Sequence, residues 1–349
     1  MKKRFKKLLK VILITFIFVL FVQIFIIQSF IVMSSRMQSS LFEGDFLILE
    51  KLSYGARMPI TILSIPFLHK KIPFTNKKSF LDILNFSYFR FPGVSKIKKN
   101  DLIVFNFPKE NDLPIDKKSN FIKRCIAVSG DTLEIKNKNV IINGEKKDDI
   151  LDIEFKCRVI TDGDTNFLKL IKNKYKLKNI NLIAANMGIY DVFLSKKNMK
   201  KLKEEKPVKY VRVLKQMINQ PNFEEIFPKS YFYRWNKDYF GKIIVPKKNQ
   251  NVKLNLRTLA FYKRIIKVYE NKNLTIKNDS IFINNKFSDN YTFEKNYYFV
   301  MDDSRDRAND SRYWGFLPED HIIGKASFIW FSYDNFNGKI RWKRILKKI

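Results

Sequence analysis

Residues 302–326, DDSRDRANDSRYWGFLPEDHIIGKA, form the most specific pattern of this chain and are called the signature stretch below. Its central part, DSRYWGFLPE, is a specific pattern that composition does not produce by chance. The stretch leads into Ile322–Ser332 (IIGKASFIWFS), an apolar run of the kind that predicts a buried β-strand. The C-terminal part of the chain is therefore expected to end in β-structure.

Strands also dominate the prediction upstream. Apolar runs bounded by turn residues predict strands within 41–52, 101–107, 121–128 and 294–303. Thr132–Ile135 and Val140–Asn143 predict a hairpin. Many non-consecutive strands and few helices favour a mainly β, antiparallel core.

Residues 150–235 have a different pattern and predict an inserted α+β lobe. Strands are expected at 154–160, 189–194 and 208–214. One helix is expected from Asp164 or Thr165 to about Tyr175, and another begins at Ser195 and stops before Pro207. The lobe divides the predicted core into 34–149 and 236–349.

A partial internal repeat accompanies the core strands. LEIKNKNVIING at 133–144 follows Lys123-Arg124, and LTIKNDSIFINN at 274–285 follows Lys263-Arg264. Both copies are typical of a strand leading into a hairpin. Convergent β-patterning in a chain rich in lysine and asparagine is the equal alternative.

The N-terminus predicts a membrane anchor. Residues 1–10 carry six Lys/Arg and no acids, and 11–33 are uncharged. A run of 23 residues at about 1.5 Å per residue spans a hydrocarbon core of roughly 30 Å. The basic block predicts a cytoplasmic N-terminus before a single pass. The alternative, a cleaved signal peptide, would have a shorter apolar run ending in a small-x-small site.

Composition restricts the class of protein. The 349 residues are 45% hydrophobic, which excludes wholesale disorder. Two cysteines exclude a disulfide scaffold, although Cys125 and Cys157 could pair, and two histidines exclude a His-built metal centre. The net charge is +33, and +27 remains once the six basic residues of 1–10 are removed. This excess indicates either an anionic partner or a compositional drift toward lysine codons.

Four segments together resemble bacterial type I signal peptidase: SSRMQSSLFEGDFLILEKLSYG (34–55), DLIVFNFP (101–108), NFIKRCIAVSGD (120–131) and residues 302–326. They occur in the family's order and at compatible spacings. The resemblance implies a membrane-bound serine endopeptidase of the cell (inner) membrane, with its catalytic domain on the outer face. Its implied partners are preprotein signal peptides and the phospholipid membrane, without nucleic acid, metal or cofactor.

The family's chemistry is a Ser/Lys dyad, in which an uncharged lysine amine takes the proton of the attacking serine. Desolvation favours the uncharged amine. The resemblance assigns this general base to Lys123, which lies in an apolar run. Lys263 lacks the following Gly-Asp turn and is rejected.

The nucleophile position departs from the family. Counting back from Gly44-Asp45, the serine of the family falls on Arg36. A guanidinium stays protonated and has no lone pair for attack. Ala308 also replaces the serine whose hydroxyl would orient the lysine amine, and Ser304 and Asp302 are further departures.

Two neighbouring hydroxyls remain candidates. The resemblance gives Ser34 a role in the oxyanion hole, beside the backbone N–H of residue 36. Ser35 is a possible substitute nucleophile if a bulge moves it into place, whereas an extended segment would point it to the opposite face. Ser39 and Ser40 are expected to be structural.

The other implied site residues form two groups. Structural supports are expected at Asp303, Arg305, Asp310, Ser311 and Arg312. Apolar pockets for small side chains at the −1 and −3 positions of an extended signal peptide are expected at Phe30, Val32, Met37, Leu41, Leu47 and Ile122. Ordinary strand core is the competing interpretation of Leu47.

Three functions stay open from the sequence. The first is an active signal peptidase that uses Lys123 and Ser35. The second is an inactive pseudo-peptidase that still binds signal peptides. The third is a basic membrane-tethered protein that binds anionic lipid or nucleic acid, although the predicted topology puts nucleic acid on the wrong side.

Overall fold

A computed structural model describes residues 2–147, 153–163, 174–175, 180–184, 187–335 and 337–349. The described residues form two compact units. Unit 1 comprises Met1–Met33, Glu43–Cys125 and Leu317–Ile349, and unit 2 comprises Ser34–Phe42 and Ile126–Phe316.

The structure is mainly β with antiparallel sheets, as the sequence predicts. Its helices are α1 (Lys2–Phe21), α2 (Lys196–Lys203), α3 (Leu256–Arg264) and α4 (Ser311–Trp314). The strands of the first half are β1 (Ile27–Ile31), β2 (Asp45–Glu50), β3 (Leu102–Asn106), β4 (Asn120–Ala127), β5 (Thr132–Lys136), β6 (Asn139–Ile142), β7 (Glu145–Lys146), β8 (Glu154–Thr161), β9 (Asn181–Ala184), β10 (Ile189–Ser195) and β11 (Val208–Val213). Those of the second half are β12 (Phe240–Ile244), β13 (Asn251–Lys253), β14 (Leu274–Lys277), β15 (Ser280–Ile283), β16 (Lys286–Phe287), β17 (Asn290–Thr292), β18 (Tyr297–Met301), β19 (Leu317–Pro318), β20 (Ile322–Asp334), β21 (Lys339–Ile340) and β22 (Lys347–Lys348).

Unit 1 is organised around an antiparallel sheet with the strand order β1-β2-β20-β3-β4. The strand β20, predicted from IIGKASFIWFS, lies at its centre, between β2 and β3. All five residues of β3 are buried, which explains why its sequence, LIVFN, does not alternate. The strands β2 and β3, which pair with β20, come from distant parts of the chain. This agrees with the predicted antiparallel core of non-consecutive strands.

The helical part of the anchor ends before the uncharged run does. A π-helical turn, Val22–Ile26, extends α1, and Ile27–Ile31 is already the strand β1, paired with β2. Periodicity cannot separate a membrane helix from a strand within one apolar run. The ammonium of Lys51, beyond β2, donates to the carbonyls of Gln23 and Ile24 at 2.7 and 3.1 Å. These bonds help to satisfy the carbonyls that a helix end leaves unpaired.

Unit 2 contains the antiparallel sheet β12-β5-β6-β7. Its main core gathers apolar side chains of this sheet, of α3 and of β18, among them Leu133, Ile142, Phe240, Leu259 and Phe299. The short helix α3 buries Leu259 and Tyr262, which are three residues apart and therefore share one face.

The inserted lobe forms its own antiparallel sheet, β11-β8-β10-β9, within unit 2. The helix α2 follows Ser195, and β8 alternates half-buried and buried residues as a one-faced strand should. The helix expected from 164 to about 175 lies almost entirely outside the described residues. Cys157 of β8 and Cys125 of β4 are both buried, and neither is in a disulfide.

The internal repeat corresponds to two similar three-stranded meanders, β5-β6-β7 and β14-β15-β16. In both, the first two strands are joined by two residues with positive φ, the geometry that suits a tight hairpin. The prediction fails upstream of the second copy. Lys263 and Arg264 end the helix α3, whereas Lys123 and Arg124 lie in strand β4.

Candidate active site

The loop at 34–42 contains Arg36, to which the resemblance assigns the nucleophile position. Ser34 is extended and exposed, and Ser35–Met37 form a single 3₁₀ turn in which the N–H of Gln38 donates to the carbonyl of Ser35 at 3.2 Å. Ser35–Met37 are therefore not an extended segment. In a 3₁₀ turn, successive side chains point about 120° apart, so Ser35 and Arg36 face different directions.

The turn is held by the residues that begin the signature stretch. The N–H of Ser304 donates to the carbonyl of Arg36 at 2.8 Å, and the hydroxyl of Ser304 lies 3.5 Å from the carbonyl of Ser35. The N–H of Asp303 approaches the sulfur of Met37 at 3.4 Å. The structure thus brings Arg36 and the signature stretch together within unit 2.

Asp303 fixes the end of the same loop. One oxygen of its buried carboxylate accepts from the hydroxyls of Ser39 and Ser40, at 2.9 and 2.7 Å. These bonds use both hydroxyls, as expected of structural residues. The contacts of Asp303 are those of a support for the loop.

The remaining supports form a buried network around the start of α4. The guanidinium of Arg312 is bidentate to Asp310, at 3.0 and 2.8 Å, and also donates to the carbonyl of Arg305 at 2.7 Å. Burial by itself would lower the pKa of Arg312, but Asp310 outweighs it and raises that pKa. The hydroxyl of Ser311 accepts from the N–H of Val300 at 3.0 Å. These hydrogen bonds hold together the backbone and side chains around Asp310 and Arg312.

Glu154 is a member of the site that sequence reasoning missed. This residue begins β8 of the inserted lobe, and one of its carboxylate oxygens accepts from the hydroxyl of Ser304 at 2.6 Å and from Arg307 at 2.7 Å. The Arg307 guanidinium also lies 4.4 Å from the ring centre of Phe193. No local pattern indicates this contact, because Glu154 lies 150 and 153 residues from Ser304 and Arg307.

Asp306 was missed as well. Its carboxylate binds the ammonium of Lys138 at 2.8 Å and that of Lys237 at 2.6 Å, and Lys138 also pairs with Asp238 at 2.8 Å. Burial by itself would raise the pKa of Asp306, but the two lysines outweigh it and hold that pKa below its usual range. The positive-φ turn that carries Lys138 is therefore tied to the signature stretch.

Lys123 lies in unit 1, on β4 opposite Ile103 of β3. Its side chain is 1% exposed, and its ammonium nitrogen is 5.7 Å from the ring centre of Phe121. The lysine to which the resemblance assigns the general base is thus buried, on a strand that lies between β3 and β18.

The predicted pocket residues divide between the two units. In unit 1, Phe30 of β1 is the direct partner of Leu47 of β2, Val32 continues the same edge, and Ile122 lies on β4. In unit 2, Met37 and Leu41 are buried, and the N–H of Leu41 donates to the carbonyl of Met37 at 2.7 Å. Leu47 is fully buried, which also suits its alternative interpretation as strand core.

Comparison with known proteins gives one family. A family model described as signal peptidase, peptidase S26, matches residues 5–204 and 245–331. The Signal peptidase I of Buchnera aphidicola subsp. Schizaphis graminum is 25% identical over 326 residues, covering 88% of this chain and 70% of that protein. The corresponding protein of subsp. Acyrthosiphon pisum is 26% identical over 301 residues, covering 85% and 66%.

A shorter, closer match is the Signal peptidase I of Haemophilus influenzae, 60% identical over 37 residues, or 11% of each chain. The chain spans about two thirds of the length of the Buchnera relatives. The family match covers most of this chain and includes the loop at 34–42, the strand of Lys123 and the signature stretch. On this match, the chain belongs to the signal peptidase family, peptidase S26.

Proposed function

We propose that this chain is a membrane-anchored protein of the signal peptidase I type whose turnover is impaired or lost. The observation that carries the proposal is the residue at the nucleophile position. The resemblance assigns a serine to this position, where the chain has Arg36, and hydrogen bonds with Asp303 and Ser304 hold the loop around it. Removing the nucleophile of a serine protease costs on the order of 10⁶-fold in kcat.

The proposed substrates are the signal peptides of exported preproteins. β1 ends the strand order of its sheet, so an extended peptide could add to it as a further strand. Phe30, Val32 and Leu47 lie on or beside this edge in unit 1. The resemblance also assigns pocket roles to Ile122 in unit 1 and to Met37 and Leu41 in unit 2. Small side chains at the −1 and −3 positions would fill these pockets.

The helix Lys3–Ile26 is long and apolar enough to cross a membrane, with a mean hydropathy of 2.8 in its most apolar window. We place the basic N-terminus in the cytoplasm and the two units on the outer face, because lysine and arginine next to a span favour the inner side. Protease added to intact spheroplasts should then degrade the units and spare an epitope tag at the N-terminus. The reverse pattern would contradict this orientation.

A cleavage assay tests the proposal. The full chain, purified in detergent, is incubated with a preprotein that carries an Ala-x-Ala site. We expect little or no cleavage by the wild type and restored cleavage by Arg36→Ser, which supplies the missing hydroxyl. Arg36→Ala is the matched control, since it removes the cation without adding a nucleophile, and it should stay inactive.

Further variants identify the base and the substitute nucleophile. Adding Lys123→Ala to Arg36→Ser should abolish the restored cleavage, whereas adding Ala308→Ser should increase it. Wild-type cleavage that needs Lys123 and is lost in Ser35→Ala would establish Ser35 as the nucleophile. Wild-type cleavage that needs Lys123 but survives Ser35→Ala would overturn both Ser35 and the loss of turnover.

Two alternatives make different predictions. A pseudo-peptidase would bind a fluorescent signal peptide without cleaving it, and binding would persist in Lys123→Ala. A basic binder of lipid or nucleic acid, suggested by the excess of +27, would lose affinity steeply as salt rises. A flat salt dependence would exclude the second alternative.

A further inference from the structure

Unit 1 contains a cavity of about 530 Å³ that the proposed peptidase site does not use. Part of its wall comes from the end of the anchor, including Leu20, Ile24 and Phe25. The opposite part comes from residues 57–69, which include Arg57 and Ile62. The cavity therefore adjoins the last turns of the helix that is apolar enough to cross a membrane.

The surroundings of the cavity are apolar on the surface as well. Ile62, Ile65 and Phe67 line it and are substantially exposed, Phe67 to 56%. The ring of Phe67 packs edge-on against that of Phe16 in α1, with ring centres 6.1 Å apart. This ring contact joins the segment 57–69 to α1. Because the cavity adjoins the last turns of the apolar helix, a bilayer around α1 would have its headgroup layer near the cavity.

The cavity itself is cationic. Lys51, Arg57 and Lys117 line it, and the one carboxylate in the described lining, Asp116, already accepts from the N–H and the hydroxyl of Thr61 at 2.9 and 2.8 Å. Desolvation lowers the pKa of Lys51 to about 7, with help from the charge of Arg57, and lowers the pKa of Arg57 to about 10. An anion in the cavity would offset the cost of burying these charges.

We propose that this cavity binds the phosphate group of an anionic membrane phospholipid, whose acyl chains lie along Ile62, Phe67 and the end of α1. A phosphate diester carries the charge that the cations need, and the acyl chains match the exposed apolar wall. An apolar segment of a signal peptide fits less well, because it brings no negative charge to a cavity lined by Lys51, Arg57 and Lys117, with Asp116 as the one carboxylate in the described lining. The site needs the anchor to lie in a membrane but does not depend on peptidase turnover.

Native mass spectrometry of the full, delipidated chain in non-ionic detergent tests the proposal. Dioleoyl phosphatidylglycerol and dioleoyl phosphatidylcholine are compared at equal concentration, so that only the headgroup differs. We expect the anionic lipid to be retained and the zwitterionic lipid to be lost. Lys117→Gln should weaken retention about fivefold, and Lys117→Arg should restore it. Lys71→Gln, which removes an exposed lysine outside the cavity wall, is the matched control and should leave retention unchanged.

Several outcomes would overturn the proposal: equal retention of both lipids, or equal effects of Lys117→Gln and Lys71→Gln. Displacement of the lipid by sodium phosphate at the same concentration would identify a site for free phosphate instead. Displacement by a synthetic signal peptide would assign the cavity to the peptide path. If Lys117→Gln fails to fold, the thermal midpoint of the wild type decides, since phosphatidylglycerol should raise it and phosphatidylcholine should not.

Discussion

At position 138 a lysine amine is buried between two carboxylates, those of Asp238 and Asp306. The left-handed turn at 137–138 places the side chain there, and a second lysine, Lys237, completes the neutralisation of Asp306. Removing one member of a buried ion pair leaves an uncompensated charge, which costs more than the pair contributes. Single residues in this network are therefore expected to have large effects on stability.

Lys138→Met should lower the free energy of unfolding by about 3–5 kcal/mol, because it leaves two carboxylates buried beside a single remaining lysine. Lys136→Met is the matched control, since the Lys136 side chain is 64% exposed and pairs with Glu134 at the surface. It should cost less than about 1 kcal/mol. Urea unfolding of the full chain in detergent, followed by tryptophan fluorescence, measures both. Equal effects would contradict a buried role for Lys138.

His321 predicts a pH dependence. Its Nδ1 lies 2.6 Å from Asp320 and its Nε2 lies 3.2 Å from the ammonium of Lys118, so the neutral ring can donate to the first and accept from the second. Burial, the largest effect, lowers the pKa of His321; Lys118 and Arg57 lower it further, and Asp320 opposes them. The ring is therefore expected to stay neutral in the folded protein at pH values where it is protonated in the unfolded chain.

This contribution to stability is full above the pKa of an unfolded histidine, about 6.5, and is lost as the pH falls below it. We expect the free energy of unfolding to decrease between pH 7.5 and 5.5, by up to about 1.4 kcal/mol per pH unit for one proton. His321→Gln should flatten the slope, and the part that His69 contributes should remain, because burial lowers its pKa too. An unchanged slope in His321→Gln would contradict the assignment.

At the scale of the elements, the two meanders share one type of hairpin turn, but the turns lie in different surroundings. Both use positive-φ turns, at Asn137-Lys138 and at Asn278-Asp279. The first turn directs Lys138 into the buried ion network, whereas Asp279 of the second is exposed. The sequence pattern predicted the hairpins, because turn residues and strand alternation are local signals. It did not predict which turn would face the signature stretch.

The helix α3 offers a test at the same scale. It has only nine residues, and its start is fixed by a capping box, in which Asn255 accepts from the N–H of Thr258 and Thr258 accepts from the N–H of Asn255, both at 2.9 Å. Asn255→Ala should lower the free energy of unfolding by about 1 kcal/mol. Asn255→Asp keeps the acceptor and should be nearly neutral. Thermal unfolding followed by circular dichroism would distinguish them, and equal losses would exclude the cap as the cause.

At the scale of the whole chain, residues of the inserted lobe and of the loop at 35–38 are linked. The link runs through Ser304 and Arg307 of the signature stretch, which belong to unit 2. Glu154 accepts from Ser304 and Arg307, and Ser304 donates to the carbonyl of Arg36. Two of these residues, Arg307 and Ser304, belong to the stretch that resembles the family. Glu154 of the lobe is thus linked through Ser304 to the backbone of Arg36.

Glu154→Gln should loosen this link, because Arg307 would lose the carboxylate that neutralises it. Hydrogen exchange of the amides of Gln38, Ser40 and Leu41 should become faster by a factor that corresponds to about 1–3 kcal/mol. Glu145→Gln is the matched control, since the Glu145 side chain is 77% exposed and pairs only with Lys147 among the described residues. Unchanged exchange in Glu154→Gln would show that the lobe does not act on the loop.

The amino-acid sequence alone predicted the apolar N-terminal segment, most of the strands, both hairpins of the repeat and the family. Each depends on local features: an uncharged run, the alternation of apolar residues, or turn residues at fixed spacing. Only the tertiary structure decided that Ile27–Ile31 leaves the apolar run as a strand, because pairing with β2 is a long-range contact. The same holds for the bond between Glu154 and Arg307 and for the burial of Lys138. Partners 150 or more residues apart are selected by the path of the folded chain, which no local pattern encodes.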